Sequence, residues 1–155
     1  CPAAGAGLLE RARLMFVLDT NVISELMREV HAPEVMRWMG CHPDQGLFTT
    51  TICEAEILFG LQTMADGRRR QGLLDVASTV FSVDFRDRVL PFDRWAAKAY
   101  AEVRSDVRRL GLGESGKDAD FQVAAIAKSR GATVVTRNVN DFDGSGVDVV
   151  NPWLA

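Results

Sequence analysis

Short apolar runs alternate with helical patterns along the chain. Five runs have the length and β-branched content of strands, at residues 15–18, 46–50, 89–92, 133–136 and 147–150. Between them, apolar residues recur with a helical period at residues 22–27, 32–38, 51–62, 71–81, 93–110 and 117–130. This alternation is typical of an α/β domain. We therefore predict a mainly parallel central sheet that is flanked by helices on both faces.

Particular residues mark where these elements begin and end. Thr51 and Glu54 have the Thr-x-x-Glu spacing of a capping box, which predicts the first turn of a helix. Pro91 ends the third strand, because proline lacks the backbone N–H that a sheet needs. The glycine-rich segment 111–116 predicts a loop before the last long helix.

The length of the chain indicates a single domain. A chain of 155 residues can bury one self-sufficient core. The first convincing strand begins at Met15. We therefore expect the domain to span residues 15–155, with residues 1–14 as an N-terminal extension or a cloning remnant.

Charge and cysteine content indicate how the protein could bind nucleic acid and in which compartment it functions. The formal net charge of −3 disfavours a protein that holds nucleic acid through one large basic surface, so any such contact is local. Cys1, Cys41 and Cys53 form no CxxC pair, and free thiols fit a reducing cytoplasm. The sequence shows no export signal and no apolar run near the roughly 20 residues of a membrane span. We expect a cytoplasmic protein without membrane contact.

Acidic residues follow several of the predicted strands. Asp19 directly follows the first, and Glu56 lies in the first turns of the helix after the second. Asp120 opens the helix after the glycine-rich loop, and Asp141 follows the fourth strand. The carboxyl ends of parallel strands meet at the edge of the sheet that binds ligands. Clustered carboxylates repel one another unless a cation lies among them, which indicates Mg²⁺ or Mn²⁺ with oxygen ligands.

Each acid also has a structural interpretation, which stays open. Asp120 falls within an apolar stripe of its helix, and Asp118 points the other way. The stripe consists of Ala119, Val123, Ala124, Ile126 and Ala127. A metal would offset the cost of a carboxylate there, but an aspartate in a first helical turn also fits a capping role. Asp19 equally fits a helix N-cap, and Glu54 a capping partner.

Four segments, in this order, resemble the motifs of PIN domains, particularly those of VapC and FitB-like toxins. They are Leu-Asp-Thr-Asn-Val-Ile-Ser-Glu at 18–25, Ala-Glu-Ile-Leu-Phe-Gly at 55–60, Ala-Asp-Phe-Gln-Val-Ala-Ala at 119–125 and Thr-Arg-Asn-Val-Asn-Asp-Phe at 136–142. The ending Asn-Pro-Trp at 151–153 is similar to one common in this group. The likeness covers nearly the whole chain.

This resemblance implies an endoribonuclease that depends on Mg²⁺ or Mn²⁺ and cleaves RNA with a metal-activated water. By the same resemblance, the residues that hold the ion would be Asp19, Glu56 and Asp120. The supporting residues would be Asn21, Ser24 and Thr20.

The resemblance leaves the fourth site residue open. Many PIN domains place an acid two residues after the threonine that ends the strand, where this chain has Asn138, and Asp141 lies three residues further on. The number of bound ions, one or two, is open with it. The resemblance also implies a homodimer and a VapB-like antitoxin whose carboxyl-terminal segment blocks the acidic site.

Basic residues are candidates for phosphate contacts. They are Arg137 and two clusters, Arg68, Arg69 and Arg70, and Arg104, Arg108 and Arg109. Charge runs on outer helix faces are more often solvated surface, so both interpretations stay open. His31 and His42 lie outside the strand-end motifs, and we assign them no catalytic role.

Three other functions are alternatives to a metal-dependent endoribonuclease. A HAD-like phosphatase needs a second acid two residues after Asp19, where this chain has Asn21. A phosphoacceptor receiver module needs a paired acid near Asp19 and a lysine after the last strand, and residues 147–155 contain no lysine. A catalytically degenerate PIN fold that acts only as a binding module is the third.

Overall fold

The central sheet contains five parallel strands. This computed structural model describes residues 14–155, so the predicted extension lies outside the described residues apart from Leu14, and the domain limits stay a prediction. The strands are β1 (Phe16–Leu18), β2 (Leu47–Thr50), β3 (Val89–Leu90), β4 (Thr133–Val135) and β5 (Val149–Val150). Their order in the sheet is β3-β2-β1-β4-β5, and every neighbouring pair is parallel. The prediction of a mainly parallel sheet is confirmed.

Helices connect the strands. They are α1 (Thr20–Leu26), α2 (Pro33–Gly40), α3 (Thr51–Gln62), α4 (Arg68–Thr79), α5 (Arg94–Arg109) and α6 (Asp118–Arg130). Helix α4 continues into a wider turn at Val80–Asp84, and a short 3-10 turn, Val139–Phe142, follows β4. Each predicted helix is present, with ends that differ by a few residues.

Both faces of the sheet are buried, because successive strand residues point to opposite sides. In β1, Phe16 and Leu18 belong to one apolar cluster, whereas Val17 belongs to the other. The first cluster contains side chains of α1 to α4, and the second contains mainly those of α5 and α6. The predicted coverage of both faces is confirmed.

The chain order creates a crevice at the carboxyl end of β1. From this central strand the chain proceeds to β2 and β3 on one side, and later to β4 and β5 on the other. The connections that leave β1 and β4 therefore diverge. In open parallel sheets such a switch point is where ligands bind.

Helix α6 is buried on more sides than predicted. Phe121 and Ala125 are buried in addition to four of the five stripe residues, and Ala119 is half-buried. The predicted stripe is largely buried, and burial extends beyond it because α6 packs between the sheet, at Val134, and α5, at Val103.

The start of α3 differs from the predicted capping box by one residue. Thr50 is the N-cap, and its hydroxyl accepts a hydrogen bond from the backbone N–H of Cys53 at 3.1 Å. The prediction that Thr51 and Glu54 form the cap is therefore wrong. Thr50 ends β2 and begins α3 in a single step, which brings the first turn of α3 to the sheet edge.

The cysteines only partly match the expectation of free thiols. Cys53 is free and fully buried, which agrees with the expectation. Cys41 is disulfide-bonded, so the expectation is wrong there, and Cys1 lies outside the described residues. Across residues 14–155, no helix has both the length and the apolar character to cross a membrane.

Candidate active site

Asp19 lies at the carboxyl end of β1 and is 5% exposed. It occupies the N-cap position of α1, where its backbone carbonyl accepts from the N–H groups of Val22 and Ile23 at 3.0 and 3.1 Å. Its side chain makes no capping hydrogen bond. The helix-cap interpretation therefore does not account for the Asp19 carboxylate.

The hydroxyl of Thr136 fixes one oxygen of Asp19. Thr136 is fully buried, and its Oγ1 accepts from Asn21 Nδ2 at 2.9 Å and from the Asn138 N–H at 3.1 Å. Because both lone pairs are occupied, the O–H points to Asp19 Oδ2 at 2.8 Å. Sequence reasoning did not single out Thr136 as a site residue. The available signal was its place at the start of the 136–142 motif.

Asn21 links α1 to the segment after β4. Its Nδ2 donates to Asp19 Oδ2 at 3.2 Å, and its Oδ1 accepts from the Arg137 N–H at 3.0 Å. The structure thus places this predicted supporting residue against Asp19. Because the amide is occupied in this way and cannot act as a general acid, the site does not fit a HAD-like phosphatase.

The other acids approach Asp19 from three elements. Glu56, on the exposed face of α3, accepts from the hydroxyl of Thr20. Asp120 is half-buried in the first turn of α6, and Asp141 is half-buried in the turn after β4. Four separate segments therefore bring carboxylates to the same edge of the sheet.

The electrostatics of the acids show that they interact. The pKa of Asp120 is raised to about 7, mainly by burial and also by the negative charges of Asp19, Asp141 and Glu56, against a lowering by Lys117. Burial also raises the pKa of Asp19, with contributions from Glu56 and Asp141, although the hydrogen bond from Thr136 opposes this. The site carries a repulsion that its own residues do not neutralise.

The acids do not form a closed metal cage. Within residues 14–155, no group of three or more His, Cys, Asp or Glu side chains is arranged to hold an ion by itself. Mg²⁺ usually keeps several waters and takes only one or two carboxylates from the protein. An open cluster of uncompensated carboxylates fits such a hydrated, hard divalent cation.

The two candidates for the fourth site residue differ in their surroundings. Asn138 is exposed, and its backbone N–H is used by Thr136. Asp141 contributes to the raised pKa of both Asp19 and Asp120. Of the two, Asp141 is the one that interacts with the other acids.

Most of the candidate arginines already have partners in the protein. Arg70 binds Asp66 and Gln62, Arg104 and Arg108 bind Glu114, and Arg109 binds Asp106. The guanidinium of Arg137 lies 5.2 Å from the centre of the Trp153 ring. These contacts favour the structural interpretation for Arg70, Arg104, Arg108 and Arg109.

A groove of about 920 Å³ opens beside the acids. Thr20, whose hydroxyl binds Glu56, and Ser24 are among the residues that line it. Its remaining lining is mainly apolar, with charged residues at Arg28, Glu29, Arg68 and Arg69. The apolar residues are Met27, Val30, Ile57, Leu61, Met64, Leu73 and Val76.

Comparisons with known proteins agree with this architecture. A family model described as PIN domain matches residues 16–143. The plasmid stability protein StbB of Pseudomonas syringae pv. tomato is 38% identical over 141 residues, which are 91% of this chain and 100% of that protein. VapC ribonuclease Y4jK of Sinorhizobium fredii is 37% identical over 139 residues, which are 90% of this chain and 98% of that protein.

A solved structure extends the agreement to three dimensions. The structure of FitAB bound to the IR36 DNA fragment contains a chain that superposes with a TM-score of 0.80 at 33% identity, covering 90% of this chain and 96% of that chain. The residues that gather at the carboxyl ends of the strands lie within the matched range. The chain therefore belongs to the PIN-domain family, in the group of VapC- and FitB-like toxins.

Proposed function

We propose that this protein is a metal-dependent endoribonuclease and the toxin of a VapBC-type pair. The observation that carries the proposal is the approach of Asp19, Glu56, Asp120 and Asp141 from four elements, where burial and the charges of the other three acids raise the pKa of Asp120. The ribonuclease name of a relative that is 37% identical over 90% of this chain supports the reaction class. RNA is the proposed substrate.

The four acids would hold Mg²⁺ or Mn²⁺, one ion or two. When bound, such an ion supplies a water of lowered pKa as nucleophile and stabilises charge on the scissile phosphate. The residues of the chain prepare the site. Thr136 and Asn21 hold Asp19 Oδ2, the thiol of Cys53 donates to Oδ1 at 3.9 Å, and the hydroxyl of Thr20 orients Glu56.

An RNA cleavage assay with and without divalent ion tests the proposal. Asp19→Asn and Asp120→Asn should lower the rate by more than about 100-fold, since loss of even an outer partner of a metal ligand costs about 10–100-fold. Glu54→Gln, on the same helix as Glu56, and Asp143→Asn, directly after the turn that contains Asp141, are controls and should stay active. Cleavage that survives in both site variants, or that needs no divalent ion, would refute the assignment.

A catalytically degenerate PIN fold remains the second candidate. The observation that favours it is that no closed cage of three metal-binding side chains exists within residues 14–155. A binding module of this kind would show no cleavage at any concentration of Mg²⁺ or Mn²⁺. The same assay therefore separates the two candidates.

The proposal includes a VapB-like antitoxin and a homodimer. Solved structures with this fold include FitAB and VapBC complexes, and the groove beside the acids has an apolar lining suited to a peptide segment. The rings of Phe59 and Trp95, 70% and 67% exposed, are candidate contacts for a second copy. Purification alone and with the product of the neighbouring gene should give a dimer and a larger complex. A monomer that binds no such product would contradict both.

A further inference from the structure

A network of polar side chains joins α5 to the start of α6. Arg104, on α5, binds Glu114 Oε1 through Nη2 at 2.9 Å and Nε at 3.0 Å. Its Nη1 donates to Tyr100 Oη at 2.8 Å and to Asp118 Oδ1 at 3.2 Å. The Tyr100 hydroxyl also donates to Asp118 Oδ1. Arg104 thus holds the glycine-rich loop and the first residue of α6 at the same time.

The network lies on either side of Asp120 in sequence. Asp118 precedes it by two residues, and Phe121 follows it directly, with its ring centre 5.2 Å from the Arg104 guanidinium. Lys117, at the N-cap of α6, makes no side-chain capping hydrogen bond. Contacts from Arg104 on α5 to Asp118 and Phe121 therefore hold the first turn of α6 where a side-chain cap is missing.

Electrostatic repulsion also acts on the first turn of α6. Asp19, Asp141 and Glu56 repel the Asp120 carboxylate, and this repulsion tends to move the turn away from the sheet edge. The ion pairs of Arg104 oppose such a movement, because a planar guanidinium binds several acceptors in a fixed geometry.

We propose that Arg104 is a positioning residue that holds Asp120 in place for the divalent cation. Within residues 14–155, Arg104 forms no hydrogen bond or ion pair with Asp19, Glu56, Asp120 or Asp141, and it acts through Asp118, Phe121 and Glu114. This role rests on the proposed function, since it concerns how the same carboxylates are presented. This role also accounts for the contacts of Arg104, which binds Glu114, Asp118 and Tyr100 and lies over the buried ring of Phe121.

Arg104→Gln tests this role, with Arg109→Gln as the matched control. Arg109 also forms an ion pair on α5, but with Asp106 of the same helix, and this pair meets α6 at Lys128 in its last turn and not at its first turn. In the metal-free protein, the backbone amides of Phe121, Gln122 and Val123 should exchange hydrogen at least about 10-fold faster in Arg104→Gln, and be unchanged in Arg109→Gln. Equal exchange in both variants would overturn the proposal.

The Mg²⁺ dependence of cleavage gives a second measurement, which would not change if Arg104 only stabilised the fold. In Arg104→Gln the Mg²⁺ concentration for half-maximal cleavage should rise several-fold, while the rate at saturating Mg²⁺ stays close to that of the wild type. Arg104→Lys should restore part of the difference. A lowered maximal rate with an unchanged Mg²⁺ midpoint would contradict the positioning role.

Two further comparisons separate a failure of the positioning role from a folding defect and from a failure of the proposed function. If Arg104→Gln does not fold, Tyr100→Phe removes a single hydroxyl from the network and should still accelerate exchange at the same three amides; unchanged exchange there would overturn the proposal. If the wild type shows no divalent-dependent cleavage, the proposed function fails. The exchange comparison in metal-free protein then still decides whether Arg104 holds the first turn of α6.

Discussion

At the scale of single residues, the chemistry of the site depends on how one carboxylate is held. Asp19 is buried, and its Oδ2 receives hydrogen bonds from Thr136 and Asn21. The sequence motifs predict Asp19 and Asn21 as neighbours. They do not predict the role of Thr136, because the pairing of β1 with β4 joins residues that are 117 positions apart.

Thr136→Val removes the hydroxyl but keeps the shape of the side chain. The backbone N–H of Asn138 and the amide of Asn21 then lose an acceptor, and Asp19 loses a donor, so we expect stability to fall by about 1–3 kcal/mol. Urea denaturation measures this loss, and RNA cleavage should fall with it. Thr136→Ser keeps the hydroxyl and should retain most of both; a serine variant as impaired as the valine variant would contradict this role.

At the scale of elements, two helices show why sequence patterns predict that a helix forms but not how it is buried or capped. The period of α6 predicts a helix, but its burial on several sides depends on α5 and on the sheet, which lie far away in sequence. The cap of α3 is Thr50 because the strand ends there, whereas Thr51 has the same side chain and fits the capping-box spacing equally well. Tertiary context decides in both cases.

The first turn of α6 should make the metal-free protein sensitive to pH. The pKa of Asp120 is about 7 in the folded protein, above its ordinary value of 3.8. The folded state therefore binds more protons between these values, and its stability falls as pH rises from about 4 to about 7. Asp120→Asn removes this contribution.

Thermal denaturation of metal-free protein at pH 5 and pH 7.5 measures the effect. We expect Asp120→Asn to melt above the wild type at pH 7.5 and to lose most of this advantage at pH 5. The gain should be modest, a few degrees, because a half-buried carboxylate is partly screened by solvent and 1 kcal/mol corresponds to about 2–4 °C. Asp143→Asn changes an exposed aspartate and should show no such difference. An Asp120→Asn protein that is no more stable than the wild type at pH 7.5 would contradict the repulsion.

At the scale of the whole molecule, the fold and the family could be predicted from sequence. Alternating patterns give the α/β class, and four ordered motifs give the family, since each rests on local residues. The strand order and the network around Arg104 could not be predicted, because both depend on how distant segments pack. The number of ions depends on distances between acids that motifs do not specify.

Titration of the metal-free protein with Mn²⁺ tests most directly whether the acids share a divalent cation. Electron paramagnetic resonance of the free ion gives the affinity and the number of ions per chain. We predict at least one bound ion in the wild type, and an affinity at least about 10-fold lower in Asp19→Asn and Asp120→Asn, with Asp143→Asn unchanged. A wild type that binds no Mn²⁺, or site variants that bind it as tightly as the wild type, would contradict a shared cation.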